Sequence, residues 1–191
     1  MNIDSYTFEE FSEKVRAFHG NASPGVVLGG IMVDVAHHNL PKDRLFDAIS
    51  ETDKCLPDAI QLLTPCTIGN GWMRIINTGR FALCLYDKHT GEGVRVFVDP
   101  EKVKSFQEIN EWFYVLKPKK EQSKDRLMEE IKNHGHDIMS VHHVAVDISS
   151  FASHGEYTYA TCQICKESCL ADKDGICSAC KGRIYISETK N

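Results

Sequence analysis

Two C-x2-C pairs constrain the end of this 191-residue chain more tightly than any other feature constrains the rest. Cys162-Gln-Ile-Cys165 and Cys177-Ser-Ala-Cys180 are separated by eleven residues. Each pair turns two thiols toward one point, and two such pairs complete a tetrahedral four-sulfur site. About thirty residues cannot bury enough apolar surface to fold unaided, so a bound metal is expected to supply the missing free energy. Zinc is the expected ion; iron on the same ligands, or a pair of redox dithiols, is the alternative. Tyr159, Ile164, Ile176 and Tyr185 are expected to pack around it, with Cys169 a spare thiol. Four protein sulfurs leave no open position, so the expected role is structural, or the presentation of a surface. The change in character past Ser149 divides the chain into a main domain, 1–149, and a small four-cysteine zinc domain, 150–191.

Charge and cysteine usage exclude several classes. The formal charge is −5. Within the tail, Lys166, Lys173, Lys181 and Arg183 are offset by Glu167, Asp172 and Asp174, so no basic face for nucleic acid is expected. No run reaches the roughly 18–20 apolar residues of a membrane span. Eight cysteines would suggest disulfides in a secreted chain, but four have metal spacing and MNIDSYTFEEF carries no apolar export segment. A reducing, cytoplasmic setting is therefore expected, with a homodimer as the default assembly because symmetric dimers are commonest.

Along the main domain, Phe8, Phe11, Val15 and Phe18 are spaced for one helical face, with Thr7 and Glu10 forming a capping box and His19-Gly20 ending the helix. Ser23 and Pro24 open a second helix to about His38. Gly25, Gly29 and Gly30 are spaced to let another segment approach closely, but lack dinucleotide-binding spacing. Leu45–Ser50 reads as a strand, and Met73–Asn77, Phe81–Tyr86 and Val94–Val98 as an antiparallel meander. Phe106–Leu116 is a mixed apolar stretch. A charged linker, Lys117–Asp125, then leads to a helix ending near His134, capped by Ser123 or Asp125. Ile138–Ile148 reads as a strand or extended connector.

Between the second helix and the meander lies Glu51–Asn70, ETDKCLPDAIQLLTPCTIGN. Leu56, Ala59, Ile60, Leu62 and Leu63 supply an apolar helical face, Pro57 fits the first turn, and Pro65 stops it. Cys55 is thereby placed at a helix start, where thiolate is favoured, and Cys66 just past the end. The alternative is that both are small buried hydrophobes. Cys84 reads as core, His37 and His38 as solvent-facing, and His142 and His143 as solvated or packing side chains. Asp34 and Asp87 read as single carboxylates with no evident partner.

FHGNASPGVVLGG (Phe18–Gly30), ETDKCLPDAIQLLTPCTIGNG (Glu51–Gly71) and GRFALCLYDKHTGEGVRV (Gly79–Val96) resemble the FmdE-like subunits of formylmethanofuran dehydrogenase. The resemblance spans essentially the whole chain, including a zinc-ribbon-like tail after a linker. It implies an α+β domain, helices packed on a mixed, mostly antiparallel sheet, similar to the catalytic domain of glyceraldehyde-phosphate dehydrogenases. The family motif F-H-G-H-x-C-P-G is kept at Phe18, His19, Gly20, Pro24 and Gly25, but Asn21 replaces the usual second histidine and Ser23 the usual cysteine. His19 and Cys55 carry over as candidate metal or cofactor ligands, with Asp58, Gln61, Cys66, Thr67 and Asn70 as neighbours. The resemblance also implies a molybdenum or tungsten enzyme as a partner, although nothing in the chain resembles a pterin-binding catalytic polypeptide.

Two functions of different class follow. One is a metal-binding accessory protein with zinc in the tail and a second metal or metal-containing cofactor at His19 and Cys55. The other is an enzyme acting on a small molecule through Cys55 as nucleophile, activated by His19 and the helix dipole.

Overall fold

The computed structural model describes residues 1–41, 45–151, 158–171 and 173–182. The chain divides into two compact units, Met1–Ile148 and Ser149–Asn191.

The first unit opens with a small antiparallel hairpin, β1 (Asn2–Ile3) and β2 (Tyr6–Thr7). Helix α1 (Phe8–His19) follows with the expected reciprocal cap: the Thr7 hydroxyl accepts from the Glu10 amide, and the Glu10 carboxylate accepts from the Thr7 amide. Gly20, at φ 85°, ends it. Phe8, Phe11 and Val15 are buried, but Phe18, expected on the same stripe, is exposed at the last turn.

Helix α2 (Pro24–Asn39) is apolar on every side and buried along most of its length, as an all-round hydrophobic helix must be. Its glycines are what let neighbours close on it. A Cβ at Gly29 would stand 2.8 Å from the Ala59 Cβ, and one at Gly30 would overlap the buried Phe11 ring.

Strand β3 (Phe46–Ser50) leads to α3 (Leu56–Leu63), then β4 (Met73–Ile75), β5 (Ala82–Asp87) and β6 (Glu92–Val98). Short α4 (Pro100–Val103) and α5 (Gln107–Phe113) come next, then α6 (Lys124–His134), capped by Ser123, and β7 (Met139–Ala145). Among the described residues, five strands form one sheet in the order β4-β3-β5-β6-β7. The pairings are antiparallel except β3–β4, which is parallel. The expected meander is therefore corrected at its first strand. Helix α3 carries the chain across, and such a crossover is what lets β4 lie parallel to β3 instead of pairing with β5.

Alternation along the strands gives the sheet two faces. Ala48, Leu83, Leu85, Val94, Val96 and Val98 belong to the helix-covered core. The opposite face carries the cross-strand row Ile49, Cys84, Arg95 and His142. This is the α+β arrangement of helices on a mixed, mostly antiparallel sheet.

In the second unit, β8 (Thr158–Thr161) and β9 (Ser168–Ala171) form an antiparallel hairpin. Tyr159 and Ile164 are exposed instead of packing inward as expected; among the described residues of so small a unit the buried side chains are Cys162, Cys177 and Ala171. Tyr185, Arg183 and Asp172 lie outside the described residues.

Candidate functional site

The tail brings Cys162, Cys165, Cys177 and Cys180 together, with their sulfurs all within 4.8 Å of one another. A Zn–S bond of about 2.3 Å in a tetrahedron spaces sulfurs about 3.8 Å apart, and the Cys165 and Cys177 sulfurs stand 3.9 Å apart. The donor set therefore suits a four-thiolate ion, with sulfurs separated by up to 4.8 Å drawing in by at most about 1 Å to reach that spacing. Backbone amides reinforce it: the Cys177 N–H donates to the Cys162 sulfur and the Cys180 N–H to the Cys177 sulfur, each at 3.4 Å. Amide donation, first from Cys177, brings the Cys162 thiol down to about 6, while the hydrogen bond with Cys177 pushes Cys180 up to about 12. One thiolate is thus favoured before any ion arrives, and the others must lose protons to ligate. Among the described residues this is the only group of three or more His, Cys, Asp or Glu side chains whose ligand atoms lie that close together.

In the first unit, the start of α3 gathers residues from three helices. Cys55 occupies the N-cap position with φ 57° and ψ −48°, a sparsely populated conformation that costs on the order of 1–3 kcal/mol and persists only where surrounding structure enforces it. Gly25, near the start of α2, makes room for it: a Cβ there would stand 2.9 Å from the Cys55 sulfur. Ser23, at the α2 N-cap, makes no capping hydrogen bond; its hydroxyl lies 3.6 Å from the Cys55 sulfur instead. One turn into α3, Asp58 holds the His19 Nδ1 at 2.5 Å. That carboxylate fixes the imidazole and leaves Nε2 as the ring's other donor or acceptor, the usual supporting arrangement of a ligating histidine.

Cys66, Thr67 and Asn70 lie beyond the other end of α3, roughly 12 Å along its axis at 1.5 Å per residue. Cys66 is buried with its thiol donating to the Phe46 carbonyl at 3.4 Å, and burial pushes it up to about 11. Thr67 and Asn70 stitch their own loop, each side chain accepting from the other's amide at 3.0 Å. The structure does not bring these three together with Cys55.

The remaining candidates resolve individually. Burial pushes the Cys84 thiol up to about 12, as a core residue. His142 and His143 are exposed on β7. Asp34 is not partnerless: burial opposes its charge, but the His136 ring and the Asp4 amide, at 2.9 and 2.8 Å, bring the carboxyl below its ordinary value overall. Asp87 accepts from the His89 and Thr90 amides in the β5–β6 turn. His38 faces solvent as expected, but His37 does not: its Nδ1 meets Asp4 at 3.2 Å and its ring packs on Phe46. The N-terminal hairpin covers it, which helix periodicity alone does not reveal.

A cleft of about 690 Å³ opens beside Cys55. Its lining includes Gly25, Lys54, Arg80, Arg95 and an aromatic wall of Phe81, Phe97, Trp112, Phe113 and Tyr114. Buried Glu51 anchors both guanidiniums, with Arg95 bidentate and Arg80 Nε at 2.8 Å. The Arg95 hydrogen bonds hold Glu51 below its ordinary value, and Glu51 in turn raises Arg95. Sequence reasoning finds neither this network nor the aromatic wall. The available signal is a Glu and an Arg, Glu51 and Arg95, inside two of the family-like blocks.

Residues 18–146 match the sequence model described as FmdE, molybdenum formylmethanofuran dehydrogenase operon. The chain belongs to the FmdE family. A crystal structure of a tungsten formylmethanofuran dehydrogenase FmdE-like protein from Syntrophus aciditrophicus is 47% identical, with a TM-score of 0.87, covering 97% of this FmdE chain and 98% of that one. A probable S-adenosyl-L-methionine-binding protein of Archaeoglobus fulgidus is 28% identical over 192 residues, 90% of this chain and 52% of that protein. The FmdE chain thus spans about half the length of that curated relative. Among its described residues no helix is long and apolar enough to cross a membrane.

Proposed function

We propose that this FmdE protein is a metal-binding accessory module with two sites. Zinc in the four tail thiolates holds the small unit together. The start of α3 receives a second metal, brought as part of a metal-containing cofactor. The observation that carries the second site is the 3.6 Å approach of Ser23 to Cys55: the position where family members place a cysteine lies against the cysteine this chain keeps. With His19 held by Asp58, this chain offers one imidazole and one thiol, and a hydroxyl where a second thiolate would be the softer donor. Two such donors hold a metal firmly only when the rest of its coordination sphere arrives with it, which favours a ligated metal over a bare ion.

In the same reading the protein works in a reducing cytoplasm, where eight unpaired thiols persist, as a homodimer serving a molybdenum or tungsten enzyme. The family description and the Syntrophus protein support that partner. Metal analysis of the whole chain with His19→Ala and Cys55→Ala tests the second site. Loss of metal beyond the tail's share supports it, and unchanged content refutes it.

Cysteine nucleophilic catalysis is the second reading, favoured by the strained Cys55 opening on the cleft. Rapid, pH-dependent alkylation of Cys55 by iodoacetamide, lost in His19→Ala, would support it; sluggish alkylation unaffected by His19 would remove it.

A further inference from the structure

We propose that the cleft beside Cys55 takes a planar aromatic anion. This deepens, and rests on, the reading of the α3 start as a binding site, by naming the chemistry of the organic group that meets it. The volume, about 690 Å³, lies inside the range of small-molecule clefts, roughly 300–1,000 Å³.

Charge gives the sign. Arg80 and Arg95 line both this cleft and a smaller pocket beside it, while the carboxylate they share, Glu51, lines only the smaller pocket. Two guanidiniums against one carboxylate leave one positive charge in surplus, and the cleft lining itself has Lys54, Arg80 and Arg95 but no carboxylate. Arg95 is spoken for, clamped between Glu51 and the Phe97 ring, 5.1 Å from its centroid. Arg80 is 64% exposed, so its remaining N–H donors can turn to an incoming carboxylate or phosphate.

Shape gives the rest. Phe81 meets Phe113 edge-on, and Phe113 meets Tyr114 the same way, with centroids 5.8 and 5.3 Å apart. Tyr114 itself is 44% exposed, an apolar ring left facing water at the mouth of the cleft. Aromatic walls favour a flat π-system by offset or edge contact. A sulfonium cofactor such as S-adenosylmethionine carries a net positive charge and meets the wrong sign here.

Calorimetric titration of the whole protein with naphthalene-2-carboxylate, its neutral carboxamide, cyclohexanecarboxylate and S-adenosylmethionine tests this. The aromatic acid is expected to bind about tenfold tighter than its carboxamide, the size of one charge-assisted hydrogen bond in a half-buried site, and up to about tenfold tighter than the saturated acid, the size of one aromatic contact, with S-adenosylmethionine weaker than either acid. Arg80→Gln, a change at an exposed side chain, should bring the acid down to the carboxamide's affinity. Equal binding of acid and carboxamide, equal binding of the flat and saturated acids, tighter binding of S-adenosylmethionine, or no heat from the aromatic acid would each overturn it. Failure of the second metal site reads out separately: His19→Ala, at a residue that does not line the cleft, bears on metal content and should leave binding of the aromatic acid intact.

Discussion

Moving one methyl group from α3 to α2 tests the packing that sets Cys55 in place. In Gly29→Ala the new Cβ would stand 2.8 Å from the Ala59 Cβ and 3.1 Å from a Leu56 methyl, where carbon contacts settle near about 3.5–4.0 Å. Ala59 has no rotamer to yield, so the helices must separate. Overpacking of this kind costs about 1–3 kcal/mol, against about 1 kcal/mol recovered from replacing glycine within a helix. The net expectation is a change of about 0–2 kcal/mol toward instability. Ala59→Gly alone should cost a similar amount, about 1 kcal/mol of propensity and about 0.8 kcal/mol of lost burial. In the double variant the propensities cancel and the methyl fills the vacated space, so stability should return to within about 0.5 kcal/mol of the parent. Urea unfolding of the four proteins measures the cycle, and the expected favourable coupling is about 2–4 kcal/mol. Additive losses, with the double variant least stable of all, would refute the close approach of α2 and α3.

Four further outcomes follow from the same geometry. Glu51→Gln should destabilise most at neutral pH: Glu51 is lowered in the folded state, so its contribution is present above the unfolded carboxyl value of 4.5 and is lost as pH falls through the lower folded value. Urea midpoints across pH should show the two proteins converging in acid, and a constant gap would contradict this. Acidification should release the tail metal, since three or four thiolates must recapture protons; an ion retained unchanged at about pH 4, measured by dialysis, would contradict the four-thiolate assignment. Iodoacetamide at about pH 8 should modify Cys66 and Cys84 slowest in the first unit, because burial pushes their thiols up to about 11 and about 12; mass-mapped rates check the order. Ser23→Cys should place a second sulfur beside Cys55 and raise cobalt retention in the first unit at least about tenfold, read from thiolate charge-transfer absorption, and no gain would argue against a metal locus there.

What can be read from sequence depends on how local its cause is. The Thr7–Glu10 cap, the Pro24 start of α2 and the C-x2-C knuckles rest on neighbouring residues, and the structure has them where expected. Phe18, His37 and the parallel placement of β4 depend on what another segment does, which periodicity along one helix or strand does not encode. The candidate site divides in the same way. Cys55 at a helix start is legible from Pro57 and the apolar spacing, whereas its neighbours Ser23 and Gly25, and the His19 that pairs with Asp58, arrive from elsewhere in the chain. Cys66, close to Cys55 in sequence, is parted from it by the length of the helix between them. The cleft is the least legible, because Arg80, Arg95 and the Trp112–Tyr114 run converge only through the sheet register and the turn after α5.

Metal content per chain, on protein purified without chelator, tests the central claim most directly. The parent, His19→Ala and Cys55→Ala should be measured side by side, each shown folded by its unfolding transition. About two metal equivalents in the parent and about one in each variant is the expected result, the survivor being the ion held by Cys162, Cys165, Cys177 and Cys180. One equivalent in all three proteins would contradict a second site at His19 and Cys55.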